Sequence, residues 1–369
     1  MRALGIIFSN IHDNNVPELV SNRTVGSIPF GGRYRLIDFI LSNMVNSDIY
    51  TVGVITKRNY QSLMDHVGSG KDWDLARKDG GLIFLPPYSE ITSDSLYTSR
   101  LNALKSIMNF LERADEEYVV LSDCDCICRV NYSDVIDKHI SSKSDITMIY
   151  TKFDGMTSEK SVNTIVMDEN GRVENVKYHE ILNESANLFM NMYVIKRTLL
   201  ASLVKESISR KTKHFIDDIV LKNIKVLKIN GYEHKGFYAR ISSLQAYFDN
   251  SMKLLDNNVR NELFGDRSVF TKIRDSAPTK YGNNAIVKNS MIADGCEIFG
   301  EVENCILFRG VKIARGTKVK NCILMQNTVV GENATLNCII TDKNVVIRDR
   351  LTLSGAENHT FYIPKGSMI

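Results

Sequence analysis

The last quarter of the chain repeats itself, and that repeat limits the available folds more than any other feature. The segments Val287-Lys288-Asn289-Ser290-Met291, Val302-Glu303-Asn304-Cys305-Ile306, Val319-Lys320-Asn321-Cys322-Ile323 and Leu336-Asn337-Cys338-Ile339 follow one another at near-constant spacing. Apolar residues also recur every six positions, as in Ile292 and Ile298, Ile313 and Val319, and Ile323 and Val329. A hexad nested in a period of about 15–17 residues predicts a solenoid of triangular coils over 285–369. Ser290, Cys305, Cys322 and Cys338 share one register, which predicts a ladder of small interior side chains. A metal centre is the rival reading, but cysteines one coil apart do not close a tetrahedron, so core packing is expected.

Residues 1–255 have a different texture. Residues 2–8 form an apolar strand, a polar loop runs from Ser9 to Thr24, a helix follows Arg35, and Thr51–Thr56 is a second strand. This alternation predicts a mostly parallel sheet with helices on its faces. Leu101, Leu104, Met108 and Leu111 mark one helix, and Tyr118-Val119-Val120-Leu121 a buried strand that ends in Ser122-Asp123-Cys124-Asp125. Polar residues at the carboxyl end of such a strand are where open α/β sheets place ligands. Asp145–Thr151, a hairpin at Asn170-Gly171, Phe189–Ile195, Ile224–Ile229 and Lys235–Arg240 complete the expected strands, and Ser243–Leu255 closes the domain as a helix. Residues 256–284 are polar and read as a linker.

Lys and Arg number 46 against 43 Asp and Glu, and no basic run or long apolar run occurs. Nucleic-acid and membrane partners are therefore not expected. The amino-terminal Met1–Phe8 is too short and too soon polar for a signal peptide, and seven cysteines without scaffold spacing suit a reducing compartment, so a cytoplasmic location is expected. Cys124, Cys126 and Cys128 alternate along one strand face; a soft-metal site is conceivable there, but a line does not converge on an ion, and they read as small fillers.

The stretch Pro29-Phe30-Gly31-Gly32-Arg33-Tyr34-Arg35-Leu36-Ile37-Asp38-Phe39 sets a two-glycine turn and two arginines before a helix. Leu41-Ser42-Asn43, Asn46-Ser47, Gly70-Lys71-Asp72-Trp73-Asp74-Leu75, Gly80-Gly81 and Leu85-Pro86-Pro87-Tyr88 follow in order. Together they resemble bacterial glucose-1-phosphate adenylyltransferase (ADP-glucose pyrophosphorylase) over nearly the whole chain. The resemblance implies a Rossmann-like, GT-A-like nucleotidyltransferase domain with a mixed α/β sheet, followed by a left-handed parallel β-helix. It also implies the family's chemistry, in which glucose 1-phosphate and ATP give ADP-glucose with Mg²⁺, for glycogen synthesis.

That chemistry needs a backbone cradle for phosphates, a cation for the leaving pyrophosphate and two carboxylates for Mg²⁺. Measured against the family, this chain is depleted in all three. No glycine occurs between Gly5 and Gly26, so Phe8–Asn15 cannot form the family's glycine-rich loop, and His12 and Asp13 read as an ordinary polar loop. Val25 stands where the family has lysine. Asp125 keeps one metal aspartate, but Arg240 replaces the other, so no bound metal and no tightly bound cofactor are expected. The sugar site retains only Thr92 and Asp94 of one motif, and His179 replaces its lysine.

Losses in independent pieces of one site, with the structural motifs kept, resemble the non-catalytic regulatory subunit of this family. That resemblance implies a hetero-oligomer, expected to be a tetramer, with a catalytic adenylyltransferase subunit that holds the Mg²⁺, and a homo-oligomer in its absence. It further implies phosphorylated sugar effectors bound by Arg23, Arg35 and Arg33. The alternatives are an active sugar-1-phosphate nucleotidyltransferase with a rearranged site, and, last, a hexapeptide-repeat acyltransferase. The acyltransferase would need a histidine in the coils, and none occurs from 285 to 358.

Overall fold

A computed structural model describes residues 2–86, 99–154, 160–182 and 184–369. Its first domain is built on a nine-stranded mixed sheet. In chain order the strands are β1 (Ala3–Phe8), β2 (Thr51–Ile55), β3 (Gly81–Leu85), β4 (Tyr118–Asp123), β5 (Ile146–Phe153), β6 (Lys160–Met167), β7 (Val173–Ile181), β8 (Ala186–Lys196) and β9 (Ile229–Glu233). The order β3-β2-β1-β4 is parallel throughout, and β8 adds antiparallel to β4. Along β1, Leu4, Ile6 and Phe8 enter one core and Ala3 and Ile7 the other, the period-2 alternation of a strand covered on both faces. Helices Arg100–Ser106, Met108–Arg113 and Arg197–Ser209 cover the first face; Leu36–Val45, Gln61–Val67 and Tyr132–Ser141 cover the second.

Local differences from the sequence reading have local causes. The helix expected through Leu101–Leu111 is broken at Ile107, whose φ of −105° and ψ of 18° leave the helical region. The strand expected at Ile224–Ile229 is displaced to Ile229–Glu233. Residues Val226 and Leu227 instead donate to the Asn223 carbonyl, closing a turn after a short π-helical segment at Ile216–Leu221. The polar linker begins with a helix, Asn257–Phe264, capped by the Asp256 carboxylate. Its Leu263 is buried and its Phe264 stacks on Tyr34, so two apolar anchors outweigh a polar composition.

From Lys280 the chain winds through three parallel five-stranded sheets, a triangular β-helix. Val302, Val319 and Leu336 are in register and buried inside it. The expected ladder holds only in part. Cys305 and Cys322 are buried in one register, and Ser290, in that register, is half-buried. Cys338 instead lies opposite Asn321 with a φ of 52°, and Ile339 takes the rung beside Cys322, because the last repeat is one residue shorter before its asparagine. All seven cysteines are free thiols. Asn289, Asn304 and Asn321 take left-handed φ values of 40°, 51° and 51° at one corner of the prism. Asparagine tolerates that conformation better than most residues. Their amides also bond from coil to coil, 289 to 304 at 2.8 Å and 304 to 321 to 337 at 3.3 Å each.

The Phe-Gly-Gly stretch joins the two domains. Pro29-Phe30 and Tyr34-Arg35 form a small antiparallel ribbon around Gly31 and Gly32, at φ +57° and +79°. Those values are ones side chains resist, which is why glycines are there. Phe30 and Phe39 pack edge to face and share one core with Tyr247 and Leu254 of the first domain and Ile306, Phe308 and Ile323 of the β-helix. Each fully buried side chain of this kind contributes about 1.5–3 kcal/mol. Among the described residues, no helix is long and apolar enough to cross a membrane.

Candidate functional site

At the carboxyl edge of the parallel strands, two aspartates sit two residues apart around one bend. Asp123 ends β4, and Asp125 precedes the strand Cys126–Cys128. That strand pairs antiparallel with Tyr238–Arg240, placing Arg240 opposite Cys126 and within reach of Asp125. Arg240 Nε donates to Asp125 Oδ2 at 2.8 Å, with both side chains almost wholly buried, and the Asp125 carbonyl accepts from the Ile241 amide at 2.7 Å. Arg240 and Asp125, the two positions the sequence reading singled out for a metal, are therefore joined in an ion pair.

Asp123 is neutralised in the same manner. Arg100, from the start of its helix, donates Nε to Asp123 Oδ1 at 2.9 Å and Nη2 to Oδ2. His12, in the loop after β1, lies 2.6 Å from Asp123 Oδ2 and 3.6 Å from Asp125 Oδ2. Burial alone would raise the Asp123 pKa, but Arg100 and His12 overcome it and hold the carboxyl well below its usual range. His12 is thus part of the cleft rather than an ordinary loop residue, which corrects the sequence reading. Its signal was weak, because its partner lies 111 residues away. Arg100 was missed for a similar reason.

Donor atoms of His12, Asp123 and Asp125 all lie within 4.8 Å of one another, the geometry of a possible ion site. The set does not suit Mg²⁺, which takes oxygen ligands in strict octahedral geometry. One donor here is an imidazole, and each carboxylate already faces a guanidinium.

The loop after β1 offers no phosphate cradle. No residue from 9 to 26 takes a positive φ, so its amides do not form the concave nest that wraps a phosphate. The loop is tied down instead: Ser9 Oγ donates to the Ile55 carbonyl, and the Val25 amide donates to Asp13 Oδ1 at 3.0 Å. Val25 is buried in the interdomain core. Burial pushes the Asp13 carboxyl up to about 6, against the lowering effect of its bonds from Val25 and Asn10. His179, on β7, bonds across to Thr164 Oγ1 at 2.9 Å. Thr92 and Asp94 lie outside the described residues.

The three arginines assigned to an effector separate. Arg23 is buried, and its Nη2 reaches both oxygens of Asp342 at 2.7 and 2.6 Å. Tyr362 donates to the same carboxylate at 2.8 Å. Arg23 therefore ties the first domain to the β-helix instead of presenting a free cation, because the fold supplies a buried carboxylate opposite it. Arg33 and Arg35 do line a cavity of about 150 Å³ between the domains. The chain between the domains adds Lys272 and Arg274, and the β-helix adds Arg309, Lys343 and Lys365. Sequence reasoning missed these five because four separate stretches supply them. Arg35 is held by Ser62, whose hydroxyl lies 3.0 Å from Nη1; burial first, then Arg23 and Arg274, bring its pKa down to about 10. His66 also faces the cavity, with Nε2 2.6 Å from Asp38 Oδ1.

Comparison with known proteins fits this architecture. The nucleotidyl transferase family model matches residues 19–257, and the GlmU-like C-terminal hexapeptide model matches 276–360. The glycogen biosynthesis protein GlgD of Bacillus subtilis (strain 168) is 35% identical over 318 residues, covering 86% of this chain and 82% of that protein. The chain belongs to the glucose-1-phosphate adenylyltransferase family. Within it the chain is GlgD-like: the GlgD protein of Geobacillus stearothermophilus is 34% identical over 86% of this chain and 83% of its own length. The glucose-1-phosphate adenylyltransferase of Clostridium kluyveri is 32% identical over 79% of this chain and 77% of its own. The C-terminal domain is the left-handed hexapeptide-repeat β-helix of this family.

Proposed function

We propose that this family member acts in glycogen biosynthesis as a regulatory subunit with little or no activity of its own, modulating a catalytic glucose-1-phosphate adenylyltransferase subunit. The observation that carries the reading is the Arg240–Asp125 pair, a fixed internal cation where the reaction needs a metal. The loop at 9–26, with no left-handed residue to shape a phosphate nest, and the buried Val25 support it, since both would have to be different for nucleotide phosphates to be held. The cationic cavity between the domains supports an effector role: Arg33 and Arg35 face other basic side chains, a surplus suited to phosphate esters. In this reading the Mg²⁺ belongs to the catalytic partner, and the two chains assemble as a hetero-oligomer in the cytoplasm. The test is pyrophosphate release from ATP and glucose 1-phosphate, by the chain alone and mixed with a catalytic subunit. Little release alone and an altered effector response in the mixture support the proposal; loss of that altered response on Arg33→Ala with Arg35→Ala assigns it to the cavity.

A second reading, an active nucleotidyltransferase with a rearranged site, draws on the convergence of His12, Asp123 and Asp125. Turnover by the chain alone, supported by a transition-metal ion and lost on His12→Ala, would favour it.

A further inference from the structure

One basic side chain in the interdomain cavity is disfavoured in its charged form by everything around it except a single carboxylate. Lys343 is faced by Arg35 and Arg23 from the first domain and by Lys365 from the carboxyl-terminal segment. Lys272, Arg274, Arg33 and Arg309 also border the cavity. The carboxylate beside Lys343 is its neighbour Asp342, already engaged by Arg23, by the Tyr362 hydroxyl and by the Lys343 backbone amide at 2.7 Å. That acid offsets Arg23 before it can offset Lys343.

We infer that an oxyanion entering this cavity is taken up together with a proton from solvent, which the Lys343 amine acquires to become ammonium. The inference rests on the reading of the cavity as an effector site and adds a proton to the ligand. Like charges at close range disfavour the charged form, and a dianion among them reverses the field. Burial, then Arg35 and Arg23, bring Lys343 down to about 7 before the anion arrives. With the anion present, its pKa returns toward the ordinary lysine value of about 10.4. Between those limits the complex holds one proton more than the free protein, so affinity falls as pH rises, by at most about tenfold per unit. His66, which also lines the cavity, has its own pKa lowered, by burial first with Asp38 opposing. Arg35, at about 10, titrates above the pH 7–9 range over which sulfate binding is read.

Sulfate is the suitable probe, because it stays a dianion from pH 7 to 9. Calorimetric titration of the full chain at pH 8, in two buffers of different ionisation enthalpy, reads the protons taken up. The expected result is an uptake approaching one proton per sulfate and a Kd that weakens severalfold or more from pH 7 to 9. Lys343→Arg should bind sulfate with no uptake and a flat pH profile, and Lys343→Gln should bind more weakly, also without uptake. Failure of the wild-type chain to bind sulfate at pH 7 would remove the effector-site reading and this inference with it. Binding without proton uptake, or uptake that persists in both variants, would overturn the inference and leave the site standing.

Discussion

The ion pair between Asp125 and Arg240 replaces a repulsion with an attraction. Two buried carboxylates facing each other without a metal would each resist ionising; one guanidinium in place of the second removes that conflict. Breaking one side of a buried pair strands the other's charge, at a cost of about 3–5 kcal/mol, while removing both can be nearly neutral. Arg240→Met should therefore lower stability more than Arg240→Met combined with Asp125→Asn, as read by denaturant unfolding; equal losses would mean the pair is not coupled. Asp13 gives a pH test. Its folded pKa is raised from 3.8 to about 6, so its contribution to stability is present at low pH and lost as pH rises through that interval. Asp13→Asn should gain on the wild type between pH 4 and 6, by at most about 3 kcal/mol, and hold that advantage to pH 8. A constant difference across that range would contradict the assignment. The sequence exposed Arg240 and Val25 because each replaces one residue in a known pattern. It hid Arg100 and His12, since only the folded sheet brings them to Asp123.

Among elements, the β-helix was legible coil by coil because each coil repeats the same local demand, except in the last repeat, where Cys338 takes the asparagine corner and Ile339 the expected cysteine rung. Asparagine recurs at 289, 304 and 321 because that corner needs a left-handed backbone and a side chain that can bond to the next coil. Asn321→Ala should destabilise by about 1–2 kcal/mol, and Asn321→Gly by less, since glycine removes the backbone strain but not the lost amide ladder. Equal thermal shifts for both variants would show that the ladder alone matters. The first domain was less legible. Ile224–Ile229 has strand composition, yet Val226 is among the most exposed apolar residues and the turn before β9 uses that stretch. The helix at Asn257–Phe264 looked like linker because its apolar anchors, Leu263 and Phe264, sit together at its end rather than along a stripe.

At the level of the molecule, the domains are joined by a shared core and by the buried Arg23–Asp342 pair, and the cationic cavity opens between them. A ligand there would touch both domains at once. Arg23→Ala should strand Asp342, lower stability by about 3–5 kcal/mol and weaken sulfate binding through loosened domains; an unfolding midpoint equal to wild type would show that the pair does not join them. The family resemblance carried the architecture, but the cavity was only partly legible: Arg33 and Arg35 were visible, while Lys272, Arg274, Arg309, Lys343 and Lys365 converge only in three dimensions. The central claim is that this cleft no longer transfers nucleotides. Pyrophosphate release from ATP and glucose 1-phosphate, measured on the purified chain alone with Mg²⁺ present, tests it most directly. The account predicts a rate at least about 10²–10³-fold below that of a catalytic relative assayed alongside, since loss of even one charge-stabilising group costs that much. A turnover of about 1–10³ s⁻¹, the ordinary range for enzymes, would contradict it.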